Sequence, residues 1–563
     1  MRQDRVSRTN QGEFARISHG SIFQFVLPVA LPFLIFLLHA SLFRSWIVDD
    51  AGISFAYARN LALGNGLVSQ PGAPPVEGFS NLTWVLLLTP FFVAHAFDPL
   101  VTPKIISLVL VLASFILIQS VLVSTSKHRV VGTFLVLGLL ALNPSFVIWT
   151  TSGLEGPLYV LVVVLMLRQL TGGDAGTFRG APLAGLLAVL AALCALTRPD
   201  GILYGAAFPV AVCIAFAFRK LSLSDSLRSI VIYAGGFAIC FGSYLLFRYM
   251  YFGDLLPNTF YAKGGGLNLS PVDWYNNAGN LFKSSGPNKY LLAALVAVFL
   301  YVGGPRSITR RHFGVVVVLV ISILIYALLP LDGMGEFRFA APFFPAYYLL
   351  IFLITEIVYE SASSRMAIRA VLVSVAIVAA GSGIGSFFAR STSFAAAPTV
   401  PFAMVADLFG VRFNQYAAEL GVKDGSLLVP DLGGTLYYSD LRVYDLAGLT
   451  DKVIARTLGR DQQAFYDYVF ASIKPTFIHT HGAWAYRAAL DADPRFRRDY
   501  VAIDEATDDW ILTRLGQHIS SGDFVRKDAI NSYDALARIR AGSFAKCSEL
   551  YLCSSGGAGS QTP

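Results

Sequence analysis

Two adjacent carboxylates, Asp49 and Asp50 in "IVDDAGISFAYARNLALGNGL", directly follow the first long apolar run of a chain that is otherwise sparing with charge. A carboxylate beside a bilayer loses solvation, so two in succession point to a use. The chemistry open to such a group is to take a proton from an attacking hydroxyl or to stabilise an oxocarbenium-like sugar centre. A plainer role is to cap the helix that begins near Gly52, since Asp is a favoured N-cap and is drawn to the positive helix end; one aspartate would suffice for it.

With residues 50–61 helical, Asp50, Ser54 and Tyr57 share one face, while Asp49, Ile53 and Asn60 share the neighbouring one. The following loop, "LGNGLVSQPGAPPVEGFSN", is rich in Gly and Pro, ends the helix and returns Glu77 to the same face. A pocket with acids from both ends of the loop is expected. Lys263 in "YAKGGG" and Arg338 in "EFRF" are the cations suited to a phosphate leaving group.

The elements that must position these residues are membrane helices. The chain has 563 residues, 55% hydrophobic and 14% charged, with mean hydropathy +0.59, a balance that a water-soluble domain cannot easily cover with polar surface. The net charge of +7 is scattered over short loops, which gives no support for nucleic-acid binding. Arg2, Arg5, Arg8 and Arg16 precede an apolar stretch from Ser21 to Phe43, which reads as a retained first helix behind a cytoplasmic tail, residues 1–20.

Further spans are expected at 104–124, 130–149, 157–170, 181–197, 201–218, 229–250, 289–303, 313–330, 339–358 and 367–388. The apolar run 80–97 is read as lying along or dipping into the outer face. Lys127/Arg129, Arg168/Arg179, Arg219/Lys220, Arg306/Arg310/Arg311 and Arg365/Arg369 then all fall in the cytoplasm, as positive-inside bias prefers. The result is a polytopic α-helical domain over residues 21–389, with about eleven spans and a first outer loop at 44–80. A soluble α/β domain follows at 390–550 on the extracytoplasmic side, with strand-length runs "SLLVP", "PTFIHTH" and "WILTRL", and a disordered tail at 551–563.

The same topology gathers Asp49, Asp50 and Glu77, Glu155 in "TSGLEGPLY", Arg198 and Asp200 in "TRPDG", the segment "YFGDLLPNTFYAKGGG" and Arg338 on one face. In the soluble domain, Asp431, Tyr437 and Tyr438 in "PDLGGTLYYSD" and His479, His481 and Trp484 in "IHTHGAW" form a second candidate patch. Aromatics beside carboxylates suit an extended glycan acceptor; strand-end turns are the plainer reading. Cys194, Cys213 and Cys240 read as small buried hydrophobes, while Cys547 and Cys553 are spaced for a small disulfide loop in an oxidising compartment. No Cys/His spacing suggests zinc.

The stretch "DDAGISFAYARNLALGNGLVSQPGAPPVEGFSNLTW" resembles the first outer loop of the GT-C membrane glycosyltransferases, in particular the branch of mycobacterial terminal β-arabinofuranosyltransferases. The likeness continues through "TSGLEGPLY", "TRPDG", "YFGDLLPNTFYAK", "FRFAAPFFP" and "VPDLGGTLYYSDLRVYDLAGLTD", and so runs from Ile47 to Asp451. It departs at Ala56, where the branch commonly has Arg, and in an extra "APP" before Val76. The resemblance implies a GT-C fold in a bacterial plasma membrane and a catalytic Asp49/Asp50 pair facing the outer compartment. It also implies a polyprenyl-phosphate sugar donor, with arabinofuranose as the branch's sugar, and a cell-envelope glycan or glycolipid acceptor.

By position, Glu77 and Glu155 resemble secondary pocket acids, Tyr57, Arg59 and Asn60 occupy the matching helix, and Asn258, Tyr261 and Lys263 match the loop over the donor phosphate. The resemblance leaves open which aspartate is the essential one and whether transfer inverts or retains. No cofactor is expected. Paired acids can hold Mg²⁺ or Mn²⁺, but a monophosphate can be met by Lys and Arg alone, so no metal is favoured. The rival class is a lipid-linked sugar transporter or flippase, or a non-catalytic glycolipid-binding protein; a transporter predicts mid-bilayer charge, inverted repeats and broken helices, whereas here the acids gather at one face, no repeat is visible and a large outer domain follows.

Overall fold

The computed structural model describes residues 22–172, 180–264, 270–301, 310–330, 333–361, 366–506 and 519–542. The N-terminal tail, "WILTRL", the Cys547/Cys553 pair and the C-terminal tail lie outside the described residues. Each of the eleven apolar segments is largely helical, the arrangement in which a backbone satisfies its own hydrogen bonds in lipid. Five helices are long and apolar enough to cross a bilayer, six when one bent pair counts as a single span; others, such as Gly156–Thr171 and Ala181–Thr197, are shorter. Exposed Val231, Ile239, Leu246 and Met250 on the Leu223–Phe252 helix are the apolar surface of a membrane protein.

Local chemistry explains the breaks. Pro144 has no amide to donate and Asn143 accepts from the Phe146 amide at 3.2 Å, so Arg129–Leu142 ends and Pro144–Thr150 leaves at 70°. The 201–218 segment opens as 3₁₀ turns, Pro199–Ala206, before Ala207–Ala217. Of the apolar-run cysteines, Cys194 is buried and Cys240 half-buried, but Cys213 is exposed on its helix surface.

The run 80–97 forms only a short helix, Leu82–Val93, about 18 Å long at 1.5 Å per residue against roughly 30 Å of hydrocarbon. At its start, Asn81 donates to Glu155 at 2.8 Å. Beyond its end, Phe97 stacks edge-on against Phe55 at 5.1 Å, and Lys104 donates to the carbonyls of Phe43 and Trp46 at 2.8 Å. Both ends of this segment therefore lie at the same end of the bundle. At the far end of the Thr102–Thr125 helix, Lys127 pairs with Glu360 at 3.0 Å.

The helix Met366–Ala396 runs about two turns past the expected boundary at 390 before the chain enters the C-terminal domain. That domain holds five strands, β1 Ser426–Val429, β2 Arg442–Asp445, β3 Phe477–Thr480, β4 Tyr500–Ala506 and β5 Ser521–Arg526, in the order β2-β1-β3-β5-β4. β1 is parallel to β2 and β3, and β5 is antiparallel to β3 and β4. Period-two alternation divides its apolar residues: Leu427, Val429 and Phe477 join the core continuous with the bundle, while Leu428, Ile478 and Phe524 fill a second core on the far face. The carboxyl ends of β1 and β3 lead into Asp431 and His481 respectively, at the side facing the bundle.

Candidate active site

The paired aspartates have different surroundings. Asp49 is 4% exposed, and its two carboxylate oxygens accept from the amides of Gly433 and Gly434 at 2.9 and 2.7 Å. Gly433 is required there, because a Cβ would overlap the Asp49 carbonyl. The Asp49 amide donates to the Val400 carbonyl at 2.9 Å. Burial pushes the Asp49 carboxyl up to about 8, against the pull of the two amides and with help from the charges of Asp50 and Asp431. Asp49 is thus a tie between the helical bundle and the sheet domain.

Asp50 opens the helix Asp50–Ala62 and keeps 31% of its side chain exposed. Arg338 donates to its Oδ2 at 2.9 Å. Burial acts to raise the Asp50 carboxyl, but the charges of Arg338 and Lys263 outweigh it and hold the group below its ordinary range. Arg338 comes from a turn in which Glu336 and Phe337 have left-handed backbone, φ 44° and 53°, a conformation costing about 1–3 kcal/mol per residue. Arg390 clamps Glu336 at 2.5 Å, and Trp149 donates to the Glu336 carbonyl at 2.9 Å. Beside Arg338 is a cavity of about 260 Å³, lined in part by Asn277, Asn280, Tyr326 and Phe339.

A separate polar chain starts at Ser54, one helical turn after Asp50. Ser54 bonds Asn81 at 3.1 Å, Asn81 donates to Glu155 at 2.8 Å, and Arg198 bridges Glu155 at 2.9 Å and Asp200 at 3.0 Å. Tyr159 donates to Asp200 at 3.3 Å. The Arg198 and Arg338 guanidinium groups lie 4.5 and 5.5 Å from the centroid of the Phe339 ring, which ties this network to the Arg338 turn. Glu155, Arg198 and Asp200 are therefore brought to one site with Asp50.

Other residues singled out from the sequence hold the first loop in place. Tyr57 donates to the Val76 carbonyl at 2.6 Å and accepts from Gly78 at 3.1 Å; Asn60 donates to the Ser69 carbonyl at 3.1 Å. Arg59 donates to the carbonyls of Tyr437 and Leu436 at 2.8 and 3.1 Å and stacks over the Tyr437 ring. Glu77 is a buried ion pair with Arg248 at 2.7 Å, with Tyr244 donating at 2.5 Å. Asn258 donates to the carbonyls of Gly448 and Leu449 at 2.8 and 2.9 Å, and Tyr261 receives the Arg456 guanidinium 4.4 Å from its centroid. Lys263 acts on Asp50 through its charge.

From the sheet domain, Asp431 lies 3.4 Å from Nε2 of His481, whose Nδ1 is 3.1 Å from Nε2 of His479. Asp50 and Asp431 act on one another electrostatically, which joins this patch to the site at Asp50. Tyr438 packs against Phe402, and Trp484 packs on the far-face core, away from Asp50. The reading from sequence missed Arg248, Tyr244, Asn81, Glu336 and Arg390. Arg248 had a signal, a lone guanidinium within the apolar run 229–250.

A bundle of apolar helices whose first loop carries acids against basic loop residues is followed by an α/β domain docked on that loop. The solved structures most similar in form include the oligosaccharyltransferase of Archaeoglobus fulgidus in its apo form, with TM-score 0.52 and 10% identity over 83% of this chain and 71% of that one. The same enzyme tethered to an acceptor peptide containing the NVT sequon gives TM-score 0.50 and 11% identity over 91% of this chain and 75% of that one. At such identity the likeness is one of fold. Residues 410–529 match a family model described as a domain of unknown function, DUF8728. No curated protein matches the sequence.

Proposed function

We propose that the protein is a glycosyltransferase that moves a sugar from a polyprenyl-phosphate donor to a cell-envelope glycan or glycolipid at the outer face of a bacterial plasma membrane. Arabinofuranose is the sugar to which the resemblance of the first loop points. The observation that carries the reading is the Asp50–Arg338 pair, a partly exposed carboxylate 2.9 Å from a largely buried guanidinium, on a fold shared with a membrane glycosyltransferase.

In this reading Arg338 and Lys263 receive the donor phosphate, the cavity beside Arg338 takes part of its headgroup, and ionised Asp50 faces the anomeric carbon. As the carbon–oxygen bond to phosphate breaks, the sugar gains oxocarbenium character, which the carboxylate stabilises, while Arg338 and Lys263 stabilise the charge growing on the leaving phosphate. Two cations match a monophosphate, so no divalent metal is needed for charge. Asp49 positions Asp50 by fixing the start of its helix.

The test is sugar transfer in nanodiscs with a panel of polyprenyl-phosphate sugars, the arabinofuranosyl donor included, and synthetic oligosaccharide acceptors. Wild type should turn over at least one donor, and Asp50→Asn should lose about 10²-fold or more in kcat, the scale of one electrostatic stabiliser. Equal rates in both would move the chemistry off Asp50. No turnover with any donor would favour a lipid-linked sugar transporter or a glycolipid-binding protein.

A further inference from the structure

Transfer to a hydroxyl releases a proton, and a carboxylate held ionised by Arg338 and Lys263 is a weak base for it. The proton needs another taker. The groups that face the reaction side of the sheet domain form a chain of four: Asp523 on β5, His479 on β3, His481 just after β3 and Asp431 just after β1. Asp523 Oδ1 lies 2.6 Å from His479 Nδ1, His479 Nε2 lies 3.1 Å from His481 Nδ1, and His481 Nε2 lies 3.4 Å from Asp431 Oδ2.

Donor counting sets the tautomers. Buried Asp523 is an acceptor, so His479 presents Nδ1–H to it and its Nε2 carries a lone pair. His481 must then donate from Nδ1, which leaves its own Nε2 lone pair directed at the Asp431 carboxylate. Two acceptors facing each other are a seat for one proton. This end of the chain is the accessible one: the side chains of His481 and Asp431 are 45% and 21% exposed, whereas those of His479 and Asp523 are 11% and 5%.

The surroundings support a fixed chain with one partly exposed end. Phe409 packs 4.2 Å from the His479 ring and lies nearly parallel to that of His481, with an interplanar angle of 6°. Tyr416 donates to Asp523 at 3.2 Å, and Arg412 approaches the same carboxylate at 4.0 Å. On the bundle side the titratable groups near Asp431 include Asp49 and Asp50, the latter with the cations Arg338 and Lys263, and Asp431 is two residues from the Gly433 amide that holds Asp49.

We propose that His481, paired with Asp431, is the base that takes the acceptor hydroxyl proton, and that His479 and Asp523 are positioning residues that fix its tautomer. This rests on the transferase reading above. The acceptor O–H proton passes to Nε2 of His481 and the oxygen electron pair forms the bond to the anomeric carbon. The bond from that carbon to the phosphate oxygen breaks, with its electron pair leaving on the phosphate. The imidazolium formed lies between the Asp431 carboxylate and neutral His479, and returns its proton to water through the exposed end.

The experiment is the pH dependence of transfer by the full chain in nanodiscs, with the arabinofuranosyl donor or whichever panel donor turns over, in wild type, His481→Gln, Asp431→Asn and Asp523→Asn. Wild type should lose kcat on the acid side as His481 is protonated. His481→Gln should lose about 10²-fold or more in kcat with an unchanged donor KM and no acid limb. His481→Ala should regain activity with added imidazole, which a merely structural role would not permit. Asp523→Asn should lower kcat and displace the acid limb, and Asp431→Asn should lower kcat. A His481→Gln protein with wild-type kcat and pH profile overturns the relay and leaves the transferase standing. A wild type that transfers no sugar from any donor overturns both.

Discussion

Asp49 and Asp50 are neighbours in sequence and opposites in chemistry. The pair was legible from its place at a membrane edge, but its division of labour was not, because the Gly433 and Gly434 amides that occupy Asp49 come from 384 and 385 residues later. An amide nitrogen cannot accept from a backbone N–H, so Asp49→Asn should set two donors against each other and cost about 1–3 kcal/mol, read as a lower Tm in detergent. Asp50→Asn should leave Tm near wild type. The pH dependence has a definite sign. The Asp49 carboxyl lies at about 8 in the fold against an ordinary 3.8, so its contribution is full below the unfolded value and lost as pH rises through about 8. The Tm gap between wild type and Asp49→Asn should therefore narrow from about pH 5 to about pH 9 and stay level beyond. A gap that stays constant over this range would mean that the two amides hold Asp49 as a carboxylate throughout.

At the scale of elements, the first loop is a strap between the bundle and the sheet domain. Gln70 exchanges two hydrogen bonds with β2 at Val443, at 2.5 and 3.0 Å, and Arg442 donates to the Pro71 carbonyl at 3.1 Å. Its far end is fixed by Glu77, whose ion pair with Arg248 fastens the loop to the Leu223–Phe252 helix. The helix Asp50–Ala62 and the Gly/Pro-rich turn were readable from local pattern. The partners of Tyr57, Arg59 and Glu77 were not, since periodicity says which face a side chain occupies and nothing about the distant element that meets it. Removing one member of a buried ion pair strands the other charge, so Glu77→Gln should destabilise by about 3–5 kcal/mol. The double exchange Glu77→Gln with Arg248→Met should recover much of the loss. Folded yield after heating in nanodiscs, with transfer expressed per folded molecule, separates this tie from a role in the chemistry. A Glu77→Gln protein of normal stability but lost kcat would place Glu77 among the reacting groups instead.

For the whole molecule, the decisive quantity is which end of the bundle faces outward. Glu155, Arg198, Arg338 and the sheet domain gather at the end marked by Phe43 and Thr102, and Lys127, His128, Glu356 and Glu360 gather at the other. In the proposed topology positive-inside bias puts the second end in the cytoplasm, and that proposal depends on the segment 80–97 not crossing. Its helix is short, Asn81 reaches Glu155 at one side of it, and Phe97 reaches both Phe55 and the Tyr437 ring at the other. Cysteines placed at exposed positions test the arrangement with a membrane-impermeant maleimide on intact cells. Pro74→Cys in the strap, His95→Cys in the turn after Leu82–Val93 and Tyr533→Cys in the sheet domain should label from outside. Lys127→Cys should label only after permeabilisation. If His95→Cys behaved as Lys127→Cys does, 80–97 would cross, the basic loops would change sides, and a donor presented on the outer leaflet could not reach Asp50.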